Sequence, residues 1–507
     1  MPGVAPAARL PITVSVMMAS TMTAIDTTIA NVALPHMQGG VSASQEQISW
    51  VLTSYIVASA ITIPLTGWLS GRMGRKNLLL ISIVGFTLAS MLCGMAMTVP
   101  QIVLFRALQG VFGAPLGPLS QAVLLDSYPP EEHGQAMAVW GMGTVLGPMA
   151  GPLLGGYLTD QFSWRWVFYI NAPIGLLALI GCWVFIKDIG DDRRQPFDFL
   201  GFSAIVGFIA SLQLMLDRGP SVDWFNAAET WVYLIIAVIS LWVFVIHMLT
   251  ATHPFFDRRL LSNFNFTAAT LFGFMTGFLL MGSFAMLPPL TQGLLGYSAY
   301  ESGVISIPRG FGSVISMFIV GQLVARYDPR YALAAGLALL AWSAWLMAHF
   351  DLTMGMEPLI IAGVGQGLGM GMVFVPSNTL AFATVPLHLR AEAAAFNSIV
   401  RSMGGSIGIS ILQAMAVANT QVMHQSLADR INPADPRVAA AMPSAFDLSG
   451  VAGLSALNQE ITRQAAMVAY LNDFRLMIVI VLFCAPMLFF LRPARARPER
   501  TSNVFGE

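Results

Sequence analysis

The chain has 507 residues, of which 56% are hydrophobic and only 10% are charged. Soluble domains carry about a quarter charged residues, so a chain this apolar is predicted to be an integral membrane protein. Its formal net charge of -1 gives no reason to expect nucleic-acid binding.

Windows of about 20 apolar residues, the length that a helix needs to cross a bilayer, recur along the whole chain. We place spans near residues 12–35, 48–70, 77–97, 100–125, 135–158, 164–186, 199–216, 229–250, 265–292, 301–324, 331–349, 357–384, 393–418 and 474–491. These windows are continuously apolar rather than alternating, which favours helices over barrel strands. The sequence therefore predicts an all-α integral membrane protein with 14 transmembrane helices, the first of which we expect to be retained.

Basic residues are unevenly divided between the loops on the two sides of the membrane. With the N-terminus inside, the cytoplasmic side receives most of them, including Arg9, Arg75, Lys76, Arg259 and Arg390. The short loops on the opposite side then hold little beyond Arg165 and Arg218. Because basic loops stay in the cytoplasm, we expect both termini to be cytoplasmic.

Short motifs recur along the chain at a constant offset. Gln109 and Gln366, each followed by glycine, are 257 residues apart, and the pair Gly147 and Gly151 recurs 257 residues later as Gly404 and Gly408. The common offset predicts two six-helix bundles, residues 1–190 and 263–507, with two inserted transmembrane helices at 191–262. Repeated halves around a site at the membrane midplane are typical of secondary transporters.

The first span contains one acid, Asp26, about midway along its length. A carboxylate at this depth costs about 2.5 to 3.5 kcal/mol on insertion scales, and intramembrane acids are functional sites by default. The protonation of Asp26 can follow the access of the site to each aqueous side, which is what a proton-coupled carrier needs. The alternatives are a substrate-cation role, a permanent pair with an arginine, or the cap of a kinked helix.

Arginines within the predicted spans raise a similar choice. Arg106 is the only basic residue of the fourth span, and the equivalent position of the second half is Gly363, so the symmetry of the fold does not require it. It can act on a nearby acid or bond backbone carbonyls. For Arg309 and Arg401 we favour a structural or interfacial role, although Asn397 and Arg401 are four residues apart and could form one polar face.

Glycine and proline are concentrated in the fifth span, where Gly147-Pro148 is followed by Gly151-Pro152. Small residues four apart let a second helix approach closely, and the prolines favour bending. This pattern predicts either a gate or simple tight packing. In the loop after the second span, the cations Arg72, Arg75 and Lys76 serve topology and are also placed to latch helix ends.

Several of these segments resemble the major facilitator superfamily and, within it, the fourteen-span drug:proton antiporter family of the EmrB and QacA type. The loop Gly67-Trp-Leu-Ser-Gly-Arg72-Met-Gly74-Arg75-Lys76 is similar to the signature between spans two and three, except that Gly71 stands where the family has an acid. Leu104 to Gly110 resembles the proton-transfer motif, and Gly143 to Gly156 resembles the antiporter motif. The segments around Asp26 and Asn171 are similar to those of the fourteen-span branch.

The resemblance implies a major facilitator fold and a proton-coupled antiporter that exports hydrophobic or amphipathic drugs by alternating access. Asp26 and Arg106 are then the proton-coupling residues. The candidates for the substrate cavity or gate are Asn31, Gln109, Gly147, Pro148, Gly151, Pro152, Gln366, Asn397 and Arg401. Such a protein lies in the bacterial inner membrane and needs no cofactor. The scattered histidines and the run Pro129-Pro-Glu-Glu-His133 do not predict a metal site.

The polar segment at about 419–472 is predicted to be an extracytoplasmic loop, as amphipathic or partly ordered helix. It resembles the extended loop of EmrB-like proteins and is a candidate contact for a periplasmic adaptor and outer-membrane channel. Three alternatives stay open: an exporter of one natural product or siderophore, a membrane sensor, and an intramembrane enzyme. The chain has no G-x-S-x-G, H-E-x-x-H or P-loop motif, which argues against the enzyme.

Overall fold

The computed structural model describes residues 6–129, 132–186, 196–219, 222–252, 254–324, 326–429, 431, 450–489 and 491. Within these residues every regular element is a helix, as the all-α prediction requires. The limits that we predict for the three units, at residues 190–191 and 262–263, remain predictions, and the first lies outside the described residues.

The N-terminal half is built from nine helices in the described ranges. They are α1 (Pro6–Gly40), α2 (Gln45–Thr62), α3 (Leu65–Met73), α4 (Arg75–Met95), α5 (Val99–Gly113), α6 (Leu116–Ser127), α7 (His133–Gln161), α8 (Trp166–Tyr169) and α9 (Asn171–Phe185). α2 and α3 form one broken span with a bend of 58°, next to Pro64. α5 and α6 are separated next to Pro115 in the same way, because proline cannot supply the backbone N–H that a continuous helix uses.

The inserted pair and the C-terminal half follow. The inserted helices are α10 (Phe199–Arg218) and α11 (Ala228–Thr250), and the second half contains α12 (Arg258–Ser262), α13 (Phe264–Pro288), α14 (Ala299–Leu323), α15 (Pro329–Met347), α16 (Met356–Ala383), α17 (Arg390–Ala428) and α18 (Val451–Cys484). A π-helical turn, Pro289–Leu294, extends α13. α10 packs against α11, α2 and α17, and it therefore lies along the boundary between the two halves.

Thirteen units in the described residues are long and apolar enough to cross a bilayer, namely twelve helical segments and the broken pair α2–α3. The 29 residues of α7 extend about 44 Å, so α7 is also longer than a hydrocarbon core of about 30 Å. With α7 as a further span, the structure agrees with the fourteen spans that the sequence predicts.

The two halves repeat the same helix pairing. In the first half α1 packs on α7, and in the second α13 packs on α17. The glycines predicted to be equivalent lie at these two contacts: Gly147 and Gly151 against α1, and Gly404 and Gly408 against α13. The constant offset in the sequence thus corresponds to a repeated packing of helices.

The last two helices are longer than the spans that the sequence predicts. The predicted spans end at 418 and begin at 474, whereas α17 continues to Ala428 and α18 begins at Val451, so both ends of the predicted loop are helical, as expected for part of it. α17 and α18, of 39 and 34 residues, span about 58 and 51 Å, so both continue beyond the hydrocarbon core. Our predicted spans end where polar residues begin, because the chain leaves the hydrocarbon core there. The helices themselves continue past that point. Residues 432–449 of the predicted loop lie outside the described residues.

Candidate proton and substrate site

The carboxylate of Asp26 is fully buried in the interior of the N-terminal half. Its Oδ2 accepts a hydrogen bond from Nη1 of Arg106 at 2.6 Å. Its Oδ1 accepts from Nε2 of Gln109 at 2.8 Å and from Nδ2 of Asn171 at 2.9 Å. A buried charge is tolerated when it is paired and hydrogen-bonded, and three donors from α5 and α9 meet that requirement here.

Arg106 is held from several directions at once. Its Nε donates to the carbonyl oxygen of Val51 at 3.2 Å, and its Nη1 also donates to Oε1 of Gln109 at 2.8 Å. The ring of Tyr55 lies 4.3 Å from the guanidinium, and that of Phe168 lies 5.7 Å away. Arg106 therefore makes both kinds of contact that the sequence left open, an acid pair and a bond to a backbone carbonyl.

Asn171 is a member of this network that the sequence candidates omitted. It is the first residue of α9, and its Nδ2 lies 2.9 Å from both Oδ1 of Asp26 and Oγ of Ser90. The Ser90 hydroxyl in turn donates to the carbonyl oxygen of Phe168 at 2.9 Å. The sequence feature that could have identified Asn171 as a site residue is a lone amide side chain at the start of a very apolar helix. It lies within a segment that resembles the fourteen-span branch.

The C-terminal half holds a related but different network. Position 283, which is 257 residues after Asp26, is a serine. Oγ of Ser283 accepts from Nε2 of Gln366 at 2.7 Å, in the same way as Asp26 accepts from Gln109. The acid of the first half is thus replaced by a hydroxyl in the second.

A guanidinium nevertheless occupies the second network, contrary to our expectation from Gly363. Arg309 of α14 lies beside Gly363, and its Nη1 donates to Oε1 of Gln366 at 3.0 Å. The cation reaches the site from a different helix, which a comparison of equivalent positions does not detect. In the described part of the chain, Nε and Nη2 of Arg309 have no hydrogen-bond partner.

The glycines of the fifth span pack on the helix that carries Asp26. A Cβ added at Gly147 would collide with Ala24, and one added at Gly151 would collide with Thr28. α7 continues through Pro148 and Pro152, whose side chains lie outside the described part of the structure. The close packing that the small residues predict is present, while the gating role of these four residues stays a prediction.

The loop motif after the second span takes part in an ion-pair cluster. Arg75 pairs with Asp126 at the end of α6, and Nη1 of Arg390, at the start of α17, lies 3.2 Å from Oδ1 of the same carboxylate. Arg390 Nη1 also donates to the carbonyl oxygen of Leu125 at 2.8 Å. Asp126 therefore joins the two halves, and Arg75 does more than set topology.

The rest of the loop motif is also in contact with its surroundings. Gly74 has φ of 82°, a backbone conformation that favours glycine, and Gly67 packs against the backbone of Glu392. Nζ of Lys76 donates to the carbonyl oxygen of Trp183 at 2.8 Å, and the Arg72 guanidinium lies 5.4 Å from the Trp68 ring. The loop thereby ties three helices of the first half to the start of α17.

A cavity of about 320 Å³ lies between the halves. Its walls come from α1, α2, the α5–α6 break, α7, α10 and α17. Its polar lining includes Ser20, Thr23, Thr27, Tyr55, Ser59, Thr144, Gln213, Ser398, Arg401 and Ser402. The inserted helix α10 supplies Ile209 and Gln213, so the extra pair of helices contributes to the cavity wall.

Of our cavity candidates, Arg401 alone lines this space among the described residues. Asn31 is exposed and bonds the carbonyl oxygen of Thr27. Gln109 and Gln366 are buried in the two networks described above, and Gln366 lines a separate cavity of about 20 Å³.

Asn397 and Arg401, four residues apart on α17, have different partners. Its Nδ2 donates to Oδ1 of Asn378 at 3.1 Å, and Asn378 also accepts from Nε2 of Gln121 at 3.0 Å. Gln121 and Asn378 are 257 residues apart and meet across the boundary between the halves. Asn397 therefore belongs to the contact between the halves and not to the cavity.

Within the described residues, no group of three or more histidine, cysteine, aspartate or glutamate side chains is placed to hold a metal ion. His133, from the run of acids and histidine noted in the sequence, lies 3.0 and 3.1 Å from the carbonyl oxygens of Leu125 and Tyr128. It therefore joins the end of α6 to the start of α7.

Comparisons with known proteins agree with this architecture. The chain is 33% identical over 486 residues to the multidrug export protein EmrB of Haemophilus influenzae, and the aligned region covers 95% of each of the two chains. It is 33% identical over 488 residues to the fatty acid resistance protein FarB of Neisseria gonorrhoeae, covering 95% of this chain and 96% of the relative.

Solved structures show the same fold at low sequence identity. The human organic anion transporter MFSD10 covers 94% of this chain and 100% of its own, with a TM-score of 0.60 and 15% identity. The proton:xylose symporter XylE covers 96% of this chain and 99% of its own, with a TM-score of 0.61 and 13% identity. The profile of the Major Facilitator Superfamily matches residues 16–409. The chain is therefore a multi-pass membrane transporter that belongs to the Major Facilitator Superfamily.

Proposed function

We propose that the protein is a proton-coupled antiporter that exports hydrophobic or amphipathic compounds across the bacterial inner membrane. The observation that carries the proposal is the buried Asp26–Arg106 pair beside the central cavity. Tyr55 lines the cavity, and its ring lies 4.3 Å from the Arg106 guanidinium. A change in the charge of Asp26 is thereby coupled to the cavity wall.

Protonation supplies the change of state. A proton on Asp26 removes the negative charge that attracts Arg106 at 2.6 Å, and the guanidinium then keeps only neutral acceptors, Gln109 and Val51. An uncompensated buried cation is costly, so the bundle is driven toward an arrangement in which Arg106 gains other partners or water. Return of the carboxylate restores the pair.

Alternating access requires that contacts between the halves break at one end. Three contacts across the boundary lie toward the ends of α6, α14 and α16 and the starts of α7 and α17: Asp126 with Arg390, Gln121 with Asn378, and Gly134 against Gly321. The distribution of basic residues assigns these ends to the cytoplasm, with both termini on the same side. With this orientation, the conformation described here is closed on the cytoplasmic side.

The names of the relatives support the choice of substrate. EmrB is named for the export of multiple drugs and FarB for resistance to fatty acids, which are amphipathic molecules. A cavity of about 320 Å³ with mixed hydroxyl and apolar walls has a size and composition suited to such molecules. A proton moving down 100 mV supplies about 2.3 kcal/mol, enough for roughly a fiftyfold gradient of substrate per net charge.

We also propose a periplasmic partner. The C-terminal end of α17 and the N-terminal part of α18 extend past the predicted spans, and there Nε2 of His424 lies 3.0 Å from Oδ1 of Asn458. Val422 and Val451 are exposed on these extensions. An apolar surface of this kind suits the helices of an adaptor that leads to an outer-membrane channel.

The test is proton-driven efflux from proteoliposomes. Asp26→Asn keeps the size of the side chain but holds it neutral, so efflux of a hydrophobic dye under an imposed pH gradient should fall to the level of protein-free vesicles. The control is Glu460→Gln, a change of the same kind on the surface of α18, for which we expect wild-type efflux. An uncoupler should stop wild-type efflux from the proteoliposomes, and in cells expressing the protein ATP depletion under a clamped gradient should not. Normal efflux by Asp26→Asn would overturn the proposal.

A further inference from the structure

The central cavity contains an arginine without a counter-ion. Nη1 of Arg401 is buried, and in the described part of the chain it has no hydrogen-bond partner. Its neighbours are the rings of Trp140 and Phe374, each 5.6 Å from the guanidinium, and these two rings stack on one another at 5.9 Å. Ring faces attract a cation but cannot accept the directed hydrogen bonds that its N–H groups offer.

The remaining lining of the cavity does not neutralise this charge. Among the described residues that line it, Arg401 is the one charged side chain, and the others are apolar, hydroxyl or amide groups. Asp26, the buried acid of the first half, is already bonded to Arg106, Gln109 and Asn171. The cavity therefore has mixed hydroxyl and apolar walls with a positive charge in one of them.

We infer that the cavity selects amphipathic anions, whose acidic head binds Arg401 while the apolar part contacts the aromatic and aliphatic wall. This inference rests on the proposed export function and names the class of substrate. An entering carboxylate supplies the ion-pair partner that the described lining residues do not give the guanidinium. A cationic head of the same size meets repulsion in a space of low dielectric constant.

The geometry also separates Arg401 from the other buried arginines. Arg106 has an acid partner, so its charge is not available to a ligand. Arg309 is unpaired on two of its nitrogens but lines a cavity of only about 20 Å³, which has room for a water molecule and not for a substrate. Arg309 is thus a matched control, since it is a cation buried in the same half of the protein but outside the central cavity.

The experiment is equilibrium binding to the purified full-length protein in lipid nanodiscs, without a proton gradient. Decanoate, decanol and decyltrimethylammonium share one tail and differ in the charge of the head, and empty nanodiscs measure partition into lipid. At neutral pH the wild type should bind decanoate most tightly. Arg401→Gln should weaken decanoate binding by about tenfold to a hundredfold and change decanol binding little, since hydrogen bonds to charged groups contribute about 1.5 to 3 kcal/mol.

Two further variants sharpen the outcome. Arg401→Lys keeps the charge and should retain part of the preference for decanoate, whereas Arg309→Gln should leave it unchanged. Equal decanoate affinity in wild type and Arg401→Gln would overturn the inference, as would a wild type that prefers the ammonium. If Arg401→Gln does not fold, the order of affinities of the wild type for the three ligands and the decanoate preference of Arg401→Lys still test the inference. Because binding needs no gradient, failure of proton-driven transport with intact anion preference would reject the proposed coupling and leave this inference standing.

Discussion

Removing the charge of Asp126 should open the contact between the two halves at this end of the protein. Its carboxylate accepts from Arg75 in its own half and, at 3.2 Å, from Arg390 in the other, and the side chains of Asp126 and Arg390 are only 5% and 10% exposed. Asp126→Asn keeps the size but removes both ion pairs. Only the bond to Arg390 crosses between the halves, so its loss is what changes the balance between conformations.

The expected size of the shift follows from that bond. A hydrogen bond between charged groups contributes about 1.5 to 3 kcal/mol, which corresponds to about a tenfold to hundredfold change in the ratio of closed to open protein. Arg390→Gln removes the same contact from the other side and should act in the same direction. Arg75→Gln leaves the bond across the boundary in place and should shift the ratio less.

Distances between spin labels on the two halves measure this ratio directly. Gln135, near the start of α7, and Tyr327, after α14, are both exposed and lie close to the contact of Gly134 with Gly321. The three native cysteines are buried and so should escape labelling. In double electron–electron resonance, the labelled wild type should give mainly the short distance, and Asp126→Asn and Arg390→Gln should add a longer one. Wild-type distance distributions in both variants would refute the reasoning.

Other predictions concern the site itself and its packing. Arg106→Ala should impair gradient-driven efflux more than equilibrium drug binding, because the substitution removes the partner of Asp26 and leaves the cavity wall unchanged. Arg106→Lys should restore part of the efflux. If Arg106→Ala lowers efflux and binding equally, the role of Arg106 is purely structural. Gly151→Val should lower the thermal stability of the purified protein, because the new side chain would collide with Thr28. Gly156→Val is the control, since a Cβ added at Gly156 meets no atom within 4 Å. Equal stability of the two variants would contradict the packing argument.

The sequence by itself determined the membrane-crossing elements and their repetition. In hydrocarbon each backbone group must be bonded within its own segment, so a window of about 20 apolar residues is sufficient evidence for a helix. Asp26 and Arg106 were recognisable for the same local reason, since a charged residue inside such a window is rare. The offset of 257 residues likewise required only the order of residues, and it predicted that Gln109 and Gln366 would hold equivalent places.

The tertiary structure decided which of these residues meet. Asp26 and Arg106 are 80 residues apart, and Asn171, 145 residues from Asp26, joined them without having been chosen as a candidate. Arg309 reached the place beside Gly363 from another helix, and Arg401 lacked the partner that its neighbour Asn397 had suggested. Such contacts depend on the rotation and depth of each helix, which are set by packing against several others. No local sequence pattern specifies the rotation and depth of a helix. The periodicity of apolar residues shows which face of the helix a residue lies on, but it does not show which side chain of another helix lies opposite.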